Sequence, residues 1–235
     1  NGYIIVKDYL KPHEIEKIYL ELHETIDYAF PVLKNSSLSF DEKYLMLQKE
    51  NDTLRIHFYN LIGKNLYLNN LWNKDILNNI LRNISNEPFF IDYVQIRFDT
   101  PGNDRLLPMH QERGQISSNE ITGWLPFVDI NNESGGVEVI EQSHKLGDLP
   151  IILYDNYLDL GHDCTGVESK YLKNPKKVFM NKGDLLLFHT DLIHGSYPNL
   201  TNDIRLVSVA RFNPLNDIPY LKNTESELNI PKKLN

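Results

Sequence analysis

Three residues in this chain have the types and spacing to hold a metal ion. His110 and Glu112 stand two apart. In an extended strand residues i and i+2 point the same way, so the imidazole and the carboxylate can converge on one point. A lone His-x-Glu arises often by chance. It gains weight from His194-Gly195-Ser196, whose histidine lies 82 positions after Glu112. The run Gly183-Asp184-Leu185-Leu186-Leu187-Phe188 ahead of it reads as a buried strand that delivers His194 to a turn. Two imidazoles and one carboxylate on one side of a metal leave three positions open. That suits a redox-active Fe(II) holding a cosubstrate and dioxygen. Arg205 follows eleven residues beyond His194, on a strand where Arg205, Val207, Val209 and Arg211 share a face. A barrel interior tolerates a guanidinium only beside an anion. Its planar fork suits a carboxylate bidentately. A dicarboxylate cosubstrate, one end on the metal and the other on arginine, meets both requirements.

Other candidates rank lower. His13, His23, His57 and His162 read as ordinary surface or core residues. His189 falls on the parity opposite to His194, and His144 reads as a brace for a turn. Asp184 anchors a turn after Gly183 but is a rival ligand; Glu112 is preferred because it shares a face with His110. The one cysteine, Cys164, excludes an internal disulfide and any CxxC motif.

Elements that could position these groups are legible along the chain. Residues 3–6 form a short apolar run suited to a strand. Apolar residues at Ile15, Ile18, Tyr19, Leu22, Ile26 and Phe30 describe one helix face, with Pro12 in its first turn. A second helical pattern covers about 40–61, and a third about 66–84, weakened by its asparagines. After Pro88 the texture turns to short strands with turn punctuation: 89–98, 121–130, 137–141, 178–180, 184–188 and 205–212. Tyr93, Gln95 and Arg97 share one parity of the first. Such spacing predicts a sandwich or jelly-roll barrel. The expected architecture is α+β: a double-stranded β-helix core over 88–214, with helices of 1–87 packed on one sheet. Residues 150–175, of mixed polarity, read as an insertion over one mouth, a lid. The 235 residues fit one domain.

Composition narrows the function classes. Lys and Arg number 24 against 32 Asp and Glu, a formal charge of −8. This argues against sequence-independent nucleic-acid binding and against anionic membranes. With 41% hydrophobic residues the chain can bury a real core. No apolar run is long enough to span a bilayer. Scarce cysteine fits a cytoplasmic setting, with a small molecule as partner and a monomer or weak homo-oligomer as the working form.

The ordered motifs resemble the phytanoyl-CoA dioxygenase-like branch of the Fe(II)/2-oxoglutarate-dependent oxygenases. They are His110-Gln111-Glu112, Thr122-Gly123-Trp124-Leu125-Pro126-Phe127, Gly135-Gly136-Val137-Glu138-Val139-Ile140, Ser143-His144-Lys145, Gly183-Asp184, His194-Gly195-Ser196-Tyr197-Pro198-Asn199 and Arg205. The resemblance implies Fe(II) on His110, Glu112 and His194, with 2-oxoglutarate and O2 as cosubstrates. It implies Arg205 and Ser196 on the distal carboxylate of 2-oxoglutarate, with Trp124 and Thr122 lining its pocket and Gln95 the choice on the preceding strand. Oxidative decarboxylation to succinate and CO2, with hydroxylation of an unactivated C–H bond, is the implied chemistry. Arg97, Arg113 and Arg211 are the candidates for contact with an anionic substrate, although Arg211 reads first as a structural partner that neutralises a buried carboxylate. Two departures stand out: the commonest motif is His-x-Asp, and Glu141-Gln142 stands where Pro-Gly is usual. A Zn or Mn jelly-roll protein acting on a sugar-like molecule, or a family member that binds ligand without turnover, are the alternatives.

Overall fold

The structure is a computed structural model and describes residues 1–34, 37–102, 106–112, 119–154 and 164–215. Ten strands and five α-helices are assigned among them. β1 (Tyr3–Val6) is followed by α1 (Pro12–Ala29), which buries Ile15, Ile18, Leu22 and Ile26, the face its spacing predicts. The second helical pattern is two helices, α2 (Phe40–Glu50) and α3 (Asp52–Ile62). Asn51 divides them: its backbone is extended and its side chain accepts from the Leu54 N–H at 3.1 Å. Asn65 likewise caps α4 (Leu66–Asn70), and α5 (Asp75–Ile84) stands apart from it. An asparagine side chain competes for backbone N–H groups, so Asn51 cuts a pattern that apolar spacing alone would continue, whereas the third pattern divides before Lys74, which makes no side-chain cap.

The later strands are β2 (Phe89–Asp99), β3 (Ile121–Pro126), β4 (Gly136–Val139), β5 (Ile151–Tyr154), β6 (Cys164–Val167), β7 (Lys176–Lys177), β8 (Leu185–His189), β9 (His194–Tyr197) and β10 (Arg205–Pro214). Five form an antiparallel sheet in the order β1-β8-β3-β10-β2; β7-β4-β9 form a second. Hydrogen bonding does not close the two into a barrel among the described residues. The arrangement is an open, two-sheet form of the expected jelly roll, with isolated bridges at His110↔His194 and Ile130↔Met180.

Both faces of the large sheet are covered. One carries Leu185, Leu187, Leu125, Leu206 and Phe212 against the helices, and Trp72 donates from its indole N–H to Ser208 Oγ at 3.0 Å. The other carries Trp124, Leu186, Phe188, Val207 and Val209 against Val137 and Val139 of the small sheet. A strand buried on both faces shows an unbroken apolar run, which explains Leu185–Phe188. The 150–175 insertion contains a β5–β6 hairpin, and the Val167 N–H donates to Met109 O at 3.0 Å, rooting it beside His110. Residues 155–163 lie outside the described residues.

Candidate metal centre

The three predicted ligands meet between the sheets. His194 opens β9, which the sequence reading took for a turn. His110 lies on an irregular extended segment tied to it by His110 N–H to His194 O at 2.9 Å and the reciprocal bond at 3.0 Å. The Glu112 N–H donates to Thr190 O at 3.0 Å, which holds the next step of that segment. The ligand atoms of all three lie within 4.8 Å of one another. Glu112 Oε1 stands 3.8 Å from His110 Nε2 and 3.4 Å from His194 Nε2.

Backbone carbonyls orient both rings. His110 Nδ1 is 2.7 Å from Pro108 O, and His194 Nδ1 is 3.0 Å from Leu192 O. A carbonyl only accepts, so each Nδ1 carries the proton and each Nε2 lone pair faces the gap, as metal ligation needs. Burial pushes the His194 pKa down, as does neighbouring His110. That favours the neutral, ligating ring. Burial pushes Glu112 up, but its closeness to the two histidines prevails and holds it well below the usual carboxylate range. The residues therefore fit a divalent ion: neutral nitrogens, an ionised oxygen and a common focus.

The remaining expected residues divide. Trp124, Thr122, Ser196 and Arg97 line a cavity of about 40 Å³ together with the three ligands. Gln95 shares the Arg97 face, opposite Val209, but is not part of that lining; Arg97 is the strand residue that reaches it. Arg205 has protein partners in this structure. Its Nε and Nη2 donate to Asp99 Oδ2 at 3.2 and 3.0 Å, and its Nη1 to Ser134 O and Tyr197 O at 3.3 and 3.1 Å. A guanidinium has five N–H donors. Four hydrogen bonds leave one, so a bidentate clasp on another carboxylate is not open to it in this arrangement. Its buried anion is Asp99, its cross-strand partner. Arg211 pairs with carboxylates: its Nη2 donates to Glu112 Oε2 at 2.6 Å, and its Nε is 3.6 Å from Glu120 Oε1. It is paired with a ligand carboxylate rather than turned to substrate. Arg113 lies outside the described residues.

Two roles escaped sequence reading. Gln111, between the ligands, donates to Gly147 O and Asp191 O and accepts from the Leu149 N–H, clamping the ligand segment from behind. Asp99 shares the Arg97 parity, which signalled its inward direction but not its partner. Asp184, the rival ligand, is bound by Lys7 Nζ at 2.7 Å and by the Asp8 and Asn181 N–H groups at 3.0 Å each, away from the histidines. His189 Nδ1 accepts from the Asp191 N–H, and its ring lies 5.9 Å from that of His144. A wider groove of about 940 Å³ lies between α1 and Phe127–Asp129, apart from the ligand set.

Comparison with known proteins agrees with this geometry. A family model described as phytanoyl-CoA dioxygenase (PhyH) matches residues 1–207. A curated relative from Streptomyces arenae, named 1-deoxypentalenic acid 11-beta-hydroxylase, is 29% identical over 168 residues. That match covers 65% of this chain and 59% of the relative, so the chain spans about three-fifths of the relative's length. Two solved structures share the fold. One is the non-heme monooxygenase ThoJ in its apo form, at TM-score 0.63 and 12% identity, covering 91% of this chain and 74% of that one. The other is the epimerase SnoN in complex with Fe3+, alpha ketoglutarate and nogalamycin RO, at TM-score 0.62 and 16% identity, covering 100% of this chain and 88% of that one.

Proposed function

The chain belongs to the phytanoyl-CoA dioxygenase family, and from that premise we propose that it is a non-haem Fe(II)- and 2-oxoglutarate-dependent dioxygenase. It hydroxylates an unactivated C–H bond of a small molecule, with release of succinate and CO2. One observation carries the reading: His110, Glu112 and His194 aim two neutral nitrogens and an ionised oxygen at a common point. Iron bound there supplies, with 2-oxoglutarate and dioxygen, the oxidising power for C–H hydroxylation.

The chain's own residues do the rest. Pro108 O and Leu192 O fix the imidazole tautomers. Ser196 and Arg97 meet the distal carboxylate of 2-oxoglutarate. Trp124, Thr122, Val209 and Phe188 form the walls, and Arg205 anchors Asp99 beside Arg97. Gln95 supports Arg97 on the same strand face. Arg97, whose side chain is 35% exposed, is the wall nearest solvent. Trp124, Val137, Phe188, Val209 and Leu107 supply the apolar part of the lining, which limits water at the reacting centre. The hairpin of the 150–175 insertion, rooted on Met109, serves as the lid. The working form is a monomer or weak homo-oligomer in the cytoplasm with a small-molecule partner; no helix among the described residues is long and apolar enough to cross a membrane.

Anaerobic Fe(II) with 2-oxoglutarate should give a visible charge-transfer band, and succinate should accumulate in air. Small organic acids are the first substrates to screen, given the acid in the relative's name. A protein that binds the metal but shows neither band nor succinate refutes the proposal.

A further inference from the structure

Glu112 presents its two oxygens to different partners. Oε1 faces both histidine Nε2 atoms, at 3.8 and 3.4 Å, and Oε2 accepts from Arg211 Nη2 at 2.6 Å. We propose that Arg211 is a positioning residue that restricts Glu112 to one-oxygen coordination, keeping open the metal positions that the cosubstrates need. The proposal rests on the metal reading above and deepens it.

Glutamate makes such a device necessary. It has one more rotatable bond than the aspartate usual at this position, and a carboxylate free to turn can chelate one ion with both oxygens. Chelation would occupy a fourth position on a centre whose chemistry needs three open. A charge-assisted hydrogen bond at 2.6 Å removes that freedom by engaging the second oxygen. Arg211 cannot simply follow the carboxylate, because it is held from behind. Its guanidinium carbon lies 5.0 Å from the centre of the Tyr93 ring, Glu120 Oε1 is 3.6 Å from its Nε, and Glu120 is only 1% exposed. Its backbone is fixed in register between Tyr93 of β2 and Thr122 of β3. An aspartate at 112 would fall short by one C–C bond, about 1.5 Å, leaving a gap to Arg211 beyond hydrogen-bonding reach. Glutamate and arginine thus work as a pair.

The test uses Co(II) as the metal probe in wild type, R211Q, R211K and E112D. The measurements are Co(II) affinity, 2-oxoglutarate affinity of the Co(II)-loaded protein, the Co(II) visible spectrum and thermal melting. In R211Q, Co(II) should bind as tightly as in wild type or tighter, because the carboxylate gains a second contact. 2-Oxoglutarate should bind about 10- to 100-fold more weakly, the range seen when a ligand's supporting partner is lost. The Co(II) spectrum should change in shape, and R211K should recover part of the 2-oxoglutarate affinity. R211Q added to E112D should cost little more than E112D alone. Unchanged 2-oxoglutarate affinity in R211Q overturns the proposal, as does joint loss of metal, cosubstrate and melting temperature in both R211Q and R211K. Wild type that binds Co(II) but no 2-oxoglutarate sinks the oxygenase reading instead.

Discussion

Replacing Arg205 by glutamine separates two roles that one guanidinium cannot fill at once. The side chain is 4% exposed, with four N–H donors committed to Asp99, Ser134 and Tyr197. Removing it leaves Asp99 inside the sheet sandwich with Arg97 as the nearest cation, 4.0 Å away. Breaking a buried ion pair from one side costs about 3–5 kcal/mol. The remaining exposure of Asp99 and the nearby Arg97 favour the lower end, about 3 kcal/mol. In a chain of this size each kcal/mol moves the melting point by about 2–4 °C, so R205Q should melt about 6–12 °C below wild type. Arg97→Gln removes a guanidinium whose contact with Asp99, at 4.0 Å, is long and part-exposed, and its melting should stay within about 2 °C of wild type. Its 2-oxoglutarate affinity should fall by about 10- to 100-fold, as for losing a charge-assisted hydrogen bond. Circular dichroism melts and calorimetric titration of 2-oxoglutarate into metal-loaded protein read both quantities. The reasoning fails if R205Q melts with wild type, or if R97Q binds 2-oxoglutarate unchanged.

Three further outcomes follow from the geometry. His194→Ala should abolish Co(II) binding while leaving the far-ultraviolet spectrum of the metal-free protein intact; retained binding would show that the imidazole is not a ligand. Asp184 is held below its ordinary pKa because hydrogen bonds from Lys7, Asp8 and Asn181 outweigh its burial. A depressed folded pKa stabilises above the unfolded value of 3.8, and that contribution fades as pH falls through the folded value. D184N should therefore lose roughly 1–3 kcal/mol at pH 7 in urea unfolding, with the gap to wild type closing below about pH 4; an equal gap at pH 3 contradicts this. Gly135 has φ +72°, and a Cβ there would collide with Arg205 Nη1 and Pro198 O. Gly135→Ala should cost more than about 1 kcal/mol, and a melting point equal to wild type would show that the loop yields freely.

What was legible in the sequence was local. Strand parity alone placed His110 and Glu112 on one face, and helical spacing alone found the buried stripe of α1. Cross-strand partners were not legible, because register is fixed only when strands pair. Asp99 falls opposite Arg205 and Tyr93 opposite Arg211 through β2–β10 pairing, and nothing within either strand announces that. The motif Gly195-Ser196 looked like a turn because neither residue has strong strand preference, yet pairing with Val137 and Glu138 makes it a strand. The second helical pattern splits at Asn51 for a reason the sequence did offer, the capping chemistry of asparagine, which apolar periodicity masks. Gln111 carries no role that its place between two ligands would announce, because its side chain points away from them, toward the loops it ties down.

The order in which the large sheet is threaded has a consequence for synthesis on the ribosome. β10 is made last of its five strands, yet it lies between β3 and β2 and pairs with both. β1, made first, waits for β8, whose Phe188 is paired with Tyr3. At translation rates of about 5–20 residues per second, that wait is roughly ten to forty seconds. During it, β1, β2 and β3 leave the tunnel with their hydrogen-bonding edges bare and their apolar sides wet. A nascent chain interrupted before residue 214 would lack the strand on which its neighbours close, and would be left to chaperones or proteases.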